Sequence, residues 1–123
     1  MDNSDTASDE IWSQWTREVR RGVLQLLVLT IIRQKPSHGF EIVSRIRKSS
    51  GGLIDLPGGT IYPLLNRLEK NGLLKSITWE YEGRKRKTYA LTQMGQEVCE
   101  QSLDYWRRLI VLVEILTGRS EMK

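Results

Sequence analysis

Arg84, Lys85, Arg86 and Lys87 follow one another with no acid between them. Like charges crowded on a short stretch repel, so an anion that neutralises them is favoured there. A second polar set lies in GTIYPLLNRLEKNGLL, from Gly59 to Leu74: Thr60, Tyr62, Asn66, Arg67 and Lys70. Hydroxyls and cations bind phosphate oxygens, while Asn and Arg can bond base edges with two hydrogen bonds at once. In the same stretch Ile61, Leu64, Leu65 and Leu68 fall at i, i+3, i+4 and i+7, the apolar stripe of one helix face. Burying that stripe leaves the polar set free for a partner. Either feature alone is most often a solvated surface; the two together favour a nucleic acid.

The surrounding sequence supplies elements that could position both sets. A helix is expected to start near Asp9, whose side chain can accept from the first amides, and to run to Gln34. It carries Trp12, Trp15 and Val19 on one face of its first half, and Gly22 can bend it. Pro36 ends it, and Ser37 is the expected N-cap of a second helix with Phe40, Val43 and Ile46 on one face. Ser49, Ser50, Gly51 and Gly52 close that helix. The third helix is the stretch quoted above, capped by Gly59 or Thr60, with Pro63 in its first turn and Gly72 as its left-handed stop. Two strands then flank a turn at Glu82 and Gly83: Ile77, Trp79 and Tyr81 alternate before it, Tyr89 and Leu91 after it. Thr92 caps a last helix from Gln93 to Gly118.

Three helices followed by a basic hairpin is the winged helix-turn-helix plan, a mainly α fold with a small β-hairpin. In it the third helix enters a major groove of double-stranded DNA and the hairpin, or wing, reaches the neighbouring backbone. The expected organisation is an acidic, mobile leader over 1–10 and a winged-helix body over 11–92. A dimerisation helix over 93–118 and a tail over 119–123 complete it.

Composition bounds the alternatives. The 123 residues make one domain, 39% hydrophobic and 28% charged, as in a soluble globular protein. Asp2, Asp5, Asp9 and Glu10 conceal how basic the body is: without them 11 acids face 19 cations. Their sign is wrong for a signal peptide, and the apolar run from Val23 to Ile32 is too short to span a bilayer. The single cysteine, Cys99, forms no internal disulfide and fits the reducing cytoplasm, with buried packing as its default role. One His and one Cys far apart give no metal site, and no glycine loop has the context of a phosphate cradle. His38 reads as a helix-start residue bonded locally. No cofactor and no enzymatic activity are expected.

On the last helix Leu103, Trp106, Ile110 and Val113 share one stripe, widened by Leu109, Leu112 and Ile115. A stripe wider than one neighbour can cover requires a second, and two copies meeting about a two-fold axis provide it. Trp106 there reads either as interface packing or as a platform for a ligand. Trp12 and Trp15 are expected against the partner's terminal helix, bordering the same centre.

The segments PSHGFEIVSRI, GGTIYPLLNRLEKNGLL, GRKRKTYALTQMG and SLDYWRRL, in that order across about residues 20–118, resemble the PadR family of transcriptional regulators. The resemblance implies a homodimeric winged-helix repressor on a pseudo-palindromic operator. It carries DNA contacts onto Tyr62, its polar neighbours and the basic wing, and dimer contacts onto the terminal helix. One branch of that family sandwiches planar small molecules between paired tryptophans at the dimer centre, at the place of Trp106. That branch has an acidic residue one turn further on, where this chain has Ile110. A winged-helix module that binds proteins instead of DNA is the competing reading; four adjacent cations argue against it, since protein-contact faces are poor in Lys.

Overall fold

The computed structural model describes residues 3–57 and 59–119, with side chains from Thr6 onward. The chain forms α1 (Asn3–Gln34), β1 (Ser37–His38), α2 (Gly39–Ser50), α3 (Ile61–Lys70), β2 (Leu74–Tyr81), β3 (Arg84–Leu91) and α4 (Gln93–Thr117). The expected order of helices and hairpin is therefore present. The three strands form one antiparallel sheet in the order β1-β3-β2, with β1 an addition to the expected hairpin. Ser37 opposes Tyr89 and His38 opposes Thr88, so this short strand ties the start of α2 to the wing.

The core lies where α1, α2, α3 and the sheet converge. Val28, Leu29 and Ile32 of α1 are buried with Ile42 and Ile46 of α2, Ile61, Leu65 and Leu68 of α3, and Leu74 and Tyr89 of the sheet. Each fully buried aliphatic side chain contributes about 1.5–3 kcal/mol. Leu56, in the loop between α2 and α3, joins them, and its carbonyl accepts a hydrogen bond from Arg47. The loop thus helps fix the approach of α3.

Several local expectations are corrected. α1 begins by Asn3, not near Asp9, so residues 3–10 of the acidic leader continue the helix. The N-cap of α2 is His38: its Nδ1 accepts from the Glu41 amide at 3.2 Å, and the Glu41 carboxylate accepts from the His38 amide at 3.1 Å. This is a capping box with imidazole in place of the usual hydroxyl. Ser37 is buried instead, its hydroxyl donating to the Lys35 carbonyl. Ile42 takes the core position assigned to Phe40, which is 72% exposed. Thr60 occupies the N-cap of α3 but makes no side-chain capping bond.

The end of α3 and the start of α4 are built as one joint. Gly72 is left-handed, and the Leu73 and Gly72 amides donate to the Leu68 and Glu69 carbonyls, a Schellman stop. The Thr92 hydroxyl donates to the Gly72 carbonyl at 2.6 Å and accepts from the Gly95 amide at 3.0 Å. A Cβ at Gly95 would stand 2.1 Å from the Leu73 carbonyl oxygen, so α4 can dock only without one. Gly95→Ala will therefore cost about 2–3 kcal/mol despite alanine's better helix propensity. Urea unfolding measures this directly, and an unchanged midpoint would contradict the close approach.

Candidate nucleic-acid interface

α3 divides as its spacing requires. Ile61, Leu64, Leu65 and Leu68 are buried, while Thr60, Tyr62, Asn66, Arg67 and Lys70 all reach the surface. The Tyr62 ring rests on the start of α2, where Gly39 makes room for it. A Cβ on Gly39 would lie 2.8 Å from the ring.

The wing turns through Glu82 and Gly83, both at positive φ (51° and 76°), and Tyr81 pairs with Arg84. Two consecutive left-handed residues match the twist of a tight hairpin. Arg84, Lys85, Arg86 and Lys87 are all exposed on β3. Strand alternation puts Lys85 and Lys87 on the face of buried Tyr89, and Arg84 and Arg86 on the face of Trp79. Ile77, Trp79 and Tyr81 are exposed along β2. The Trp79 indole donates to the Thr88 hydroxyl at 2.8 Å.

Helix and wing meet in a cleft of about 340 Å³. It brings Tyr62 and Asn66 of α3 together with Lys85, Arg86 and Lys87 of the wing, and His38, Gly39, Phe40 and Tyr89 complete its walls. Thr60, Arg67, Lys70 and Arg84 reach solvent but do not line it. The four wing cations are not equivalent. Lys87 lies 3.9 Å from the Glu69 carboxylate, which also accepts from the Ser76 hydroxyl. The run that contains no acid in sequence meets one supplied by α3.

Sequence reasoning missed three side-chain walls of the cleft, and Gly39 between two of them. His38 is signalled by Glu41 three residues on, the spacing of a capping box. Phe40 is masked by its apolar character, which suits a core helix face. Tyr89 reads from its alternation as a strand residue only. Burial, then the nearby Glu69 carboxylate and Tyr62, push its phenol pKa up, so it stays protonated as a donor.

The residues assigned to a dimer or ligand site separate into groups. Trp106 lines a groove of about 470 Å³ between α1 and α4, with Val19, Val23, Leu26, Tyr105 and Leu109 among its walls. Trp12 and Trp15 do not line it; they stack on each other at 5.5 Å, exposed on the first half of α1. Ile110 and Val113 are exposed further along α4. Cys99 is buried in the core, and no cluster of three metal-ligating side chains occurs among the described residues. No described helix is long and apolar enough to cross a membrane.

Comparison with known proteins agrees with this architecture. Residues 28–101 match the Transcriptional regulator PadR-like family. The crystal structure of a PadR family transcriptional regulator from Eggerthella lenta is 33% identical and superposes with a TM-score of 0.79, covering 94% of this chain and 99% of that one. A PadR-like transcriptional regulator from Bacillus cereus is 32% identical with a TM-score of 0.70, covering 81% of this chain and 96% of that one. The transcriptional regulator Rv3488 of Mycobacterium tuberculosis is 31% identical over 106 residues, 85% of this chain and 92% of that protein. These relatives are regulators rather than enzymes, and with more than half its length inside the family pattern this chain belongs to the PadR-like family of transcriptional regulators.

Proposed function

We propose that the chain acts in the cytoplasm as a homodimeric repressor, placing two copies of α3 and the wing on a pseudo-palindromic operator. The observation that carries this reading is the cleft in which Tyr62 and Asn66 face Lys85, Arg86 and Lys87. Groups able to read base edges stand beside groups able to bind phosphate, as sequence-specific binding requires. The exposed apolar stripe of α4 supports the dimer, because a second copy would bury it. Binding to random and genomic duplex fragments across a salt series, with the mass of the complex read in parallel, tests both halves. A steep salt slope, two subunits per complex and a subset of fragments bound far above background are expected. Salt-independent or absent binding would remove DNA as the partner.

Relief of repression would come from a planar, apolar small molecule in the groove between α1 and α4 that holds Trp106. Such a ligand can change the spacing of the recognition helices only by binding one spacing better than another. Nile red, a neutral planar fluorophore, is a suitable probe. Trp106→Ala removes the largest aromatic surface of the groove and should weaken its binding roughly tenfold or more. Equal affinity would leave Trp106 as a packing residue.

A further inference from the structure

Tyr89 lines the cleft between α3 and the wing, and the fold does not use its hydroxyl. Tyr89 is only 4% exposed, yet its hydroxyl has no hydrogen-bond partner among the described residues. Its neighbours are otherwise committed: Ser76, opposite it in the sheet, donates to Glu69, and Thr88 accepts from Trp79. No enclosed side-chain oxygen or nitrogen among the described residues lacks a partner, so this hydroxyl must keep an opening, and the cleft that Tyr89 lines is that opening.

The walls around the opening favour a negative charge. The N-terminal end of α2, a helix of 12 residues, borders it at Gly39 and Phe40, and a helix N-terminus carries a partial positive charge. Lys85 and Lys87 stand on the same face of β3 as Tyr89. Three acids stand nearby: Glu69 is offset by Lys87 at 3.9 Å and by the Ser76 hydroxyl, Glu41 is committed to the α2 capping box through the His38 amide, and Glu80 opposes Lys85 across the sheet.

We propose that this cleft is a built seat for a single phosphoryl group, with the Tyr89 hydroxyl as the donor at its base and the start of α2 and Lys85 as its positive walls. The occupant is a phosphodiester of the bound duplex, so the inference rests on the DNA-binding reading and adds to it. The seat would fix the register of α3 in the groove by anchoring one backbone position beside Tyr62 and Asn66. A neutral donor differs from the wing cations in one measurable way. It releases no counterion, so its removal weakens binding without changing the salt dependence.

The test compares Tyr89→Phe and Lys85→Ala with the wild-type chain on duplex fragments over a salt series, with thermal melting as the control for folding. Tyr89→Phe is expected to lose about tenfold in affinity at every salt concentration, with an unaltered slope and melting temperature. Lys85→Ala should lower the slope by about one unit per bound subunit, the share of a single phosphate. In a second arm, inorganic phosphate is titrated against chloride at matched ionic strength while the Gly39 and Phe40 amide signals are followed. Saturable shifts that Tyr89→Phe abolishes would support the seat and identify free phosphate as a further occupant. Wild-type binding that Tyr89→Phe leaves intact, with no response to phosphate, overturns the seat and spares the DNA reading. Failure of the wild-type chain to bind any duplex overturns both.

Discussion

Replacing Arg84, Lys85, Arg86 and Lys87 together by alanine will reduce affinity for duplex DNA on the order of a thousandfold per bound subunit at 0.1 M salt. The magnitude follows from counterion release: each neutralised phosphate contributes about 0.9 log units per decade of salt, and about three such pairings per subunit are expected from the wing. Four cations give about three pairings because Lys87 must first give up Glu69. Its single replacement should accordingly cost less than that of Lys85. All four side chains are exposed, so the variant should melt as the wild type does. Fluorescence anisotropy over a salt series provides both numbers at once. An unchanged slope would show that the wing is a solvated hairpin and that α3 binds without it.

The outline of this fold was legible because it is written in strong local signals. The apolar stripe of α3, the Gly72 stop, the Glu82 and Gly83 turn and the Thr92 cap each depend on residues close to one another in the chain. What escaped depends on neighbours distant in sequence. Phe40 and Ile42 are equally apolar, and only the packing of α2 against α1 and α3 decides that Ile42 is buried and Phe40 exposed. β1 is two residues long and exists because β3 offers it a partner at Tyr89. The acid that partners Lys87 lies on α3, on the far side of β2 in the chain. At the cleft the cations and the recognition helix could be read from residue types. The unbonded hydroxyl of Tyr89 could not, since it is defined by the absence of a neighbour.

On the proposed dimer, replacing both Ile110 and Val113 by glutamate will give a folded monomer that binds duplex DNA about 10²–10⁴-fold more weakly. The two residues stand one helical turn apart on α4, 44% and 58% exposed, and neither belongs to the core. Glutamate is a good helix former, so α4 should persist. Across a two-fold axis the substitutions would bring four carboxylates together in a desolvated interface, where repulsion and the missing burial act in the same direction. The effect on DNA follows from geometry. In a dimer the second half-site is engaged at an effective concentration near the millimolar range, and a monomer forgoes that gain while still holding its own half-site fully. Circular dichroism should therefore stay constant while sedimentation reports half the mass. The salt slope per bound subunit should also be retained. A variant that remains dimeric would move the interface off this stripe and leave its apolar surface to the groove around Trp106.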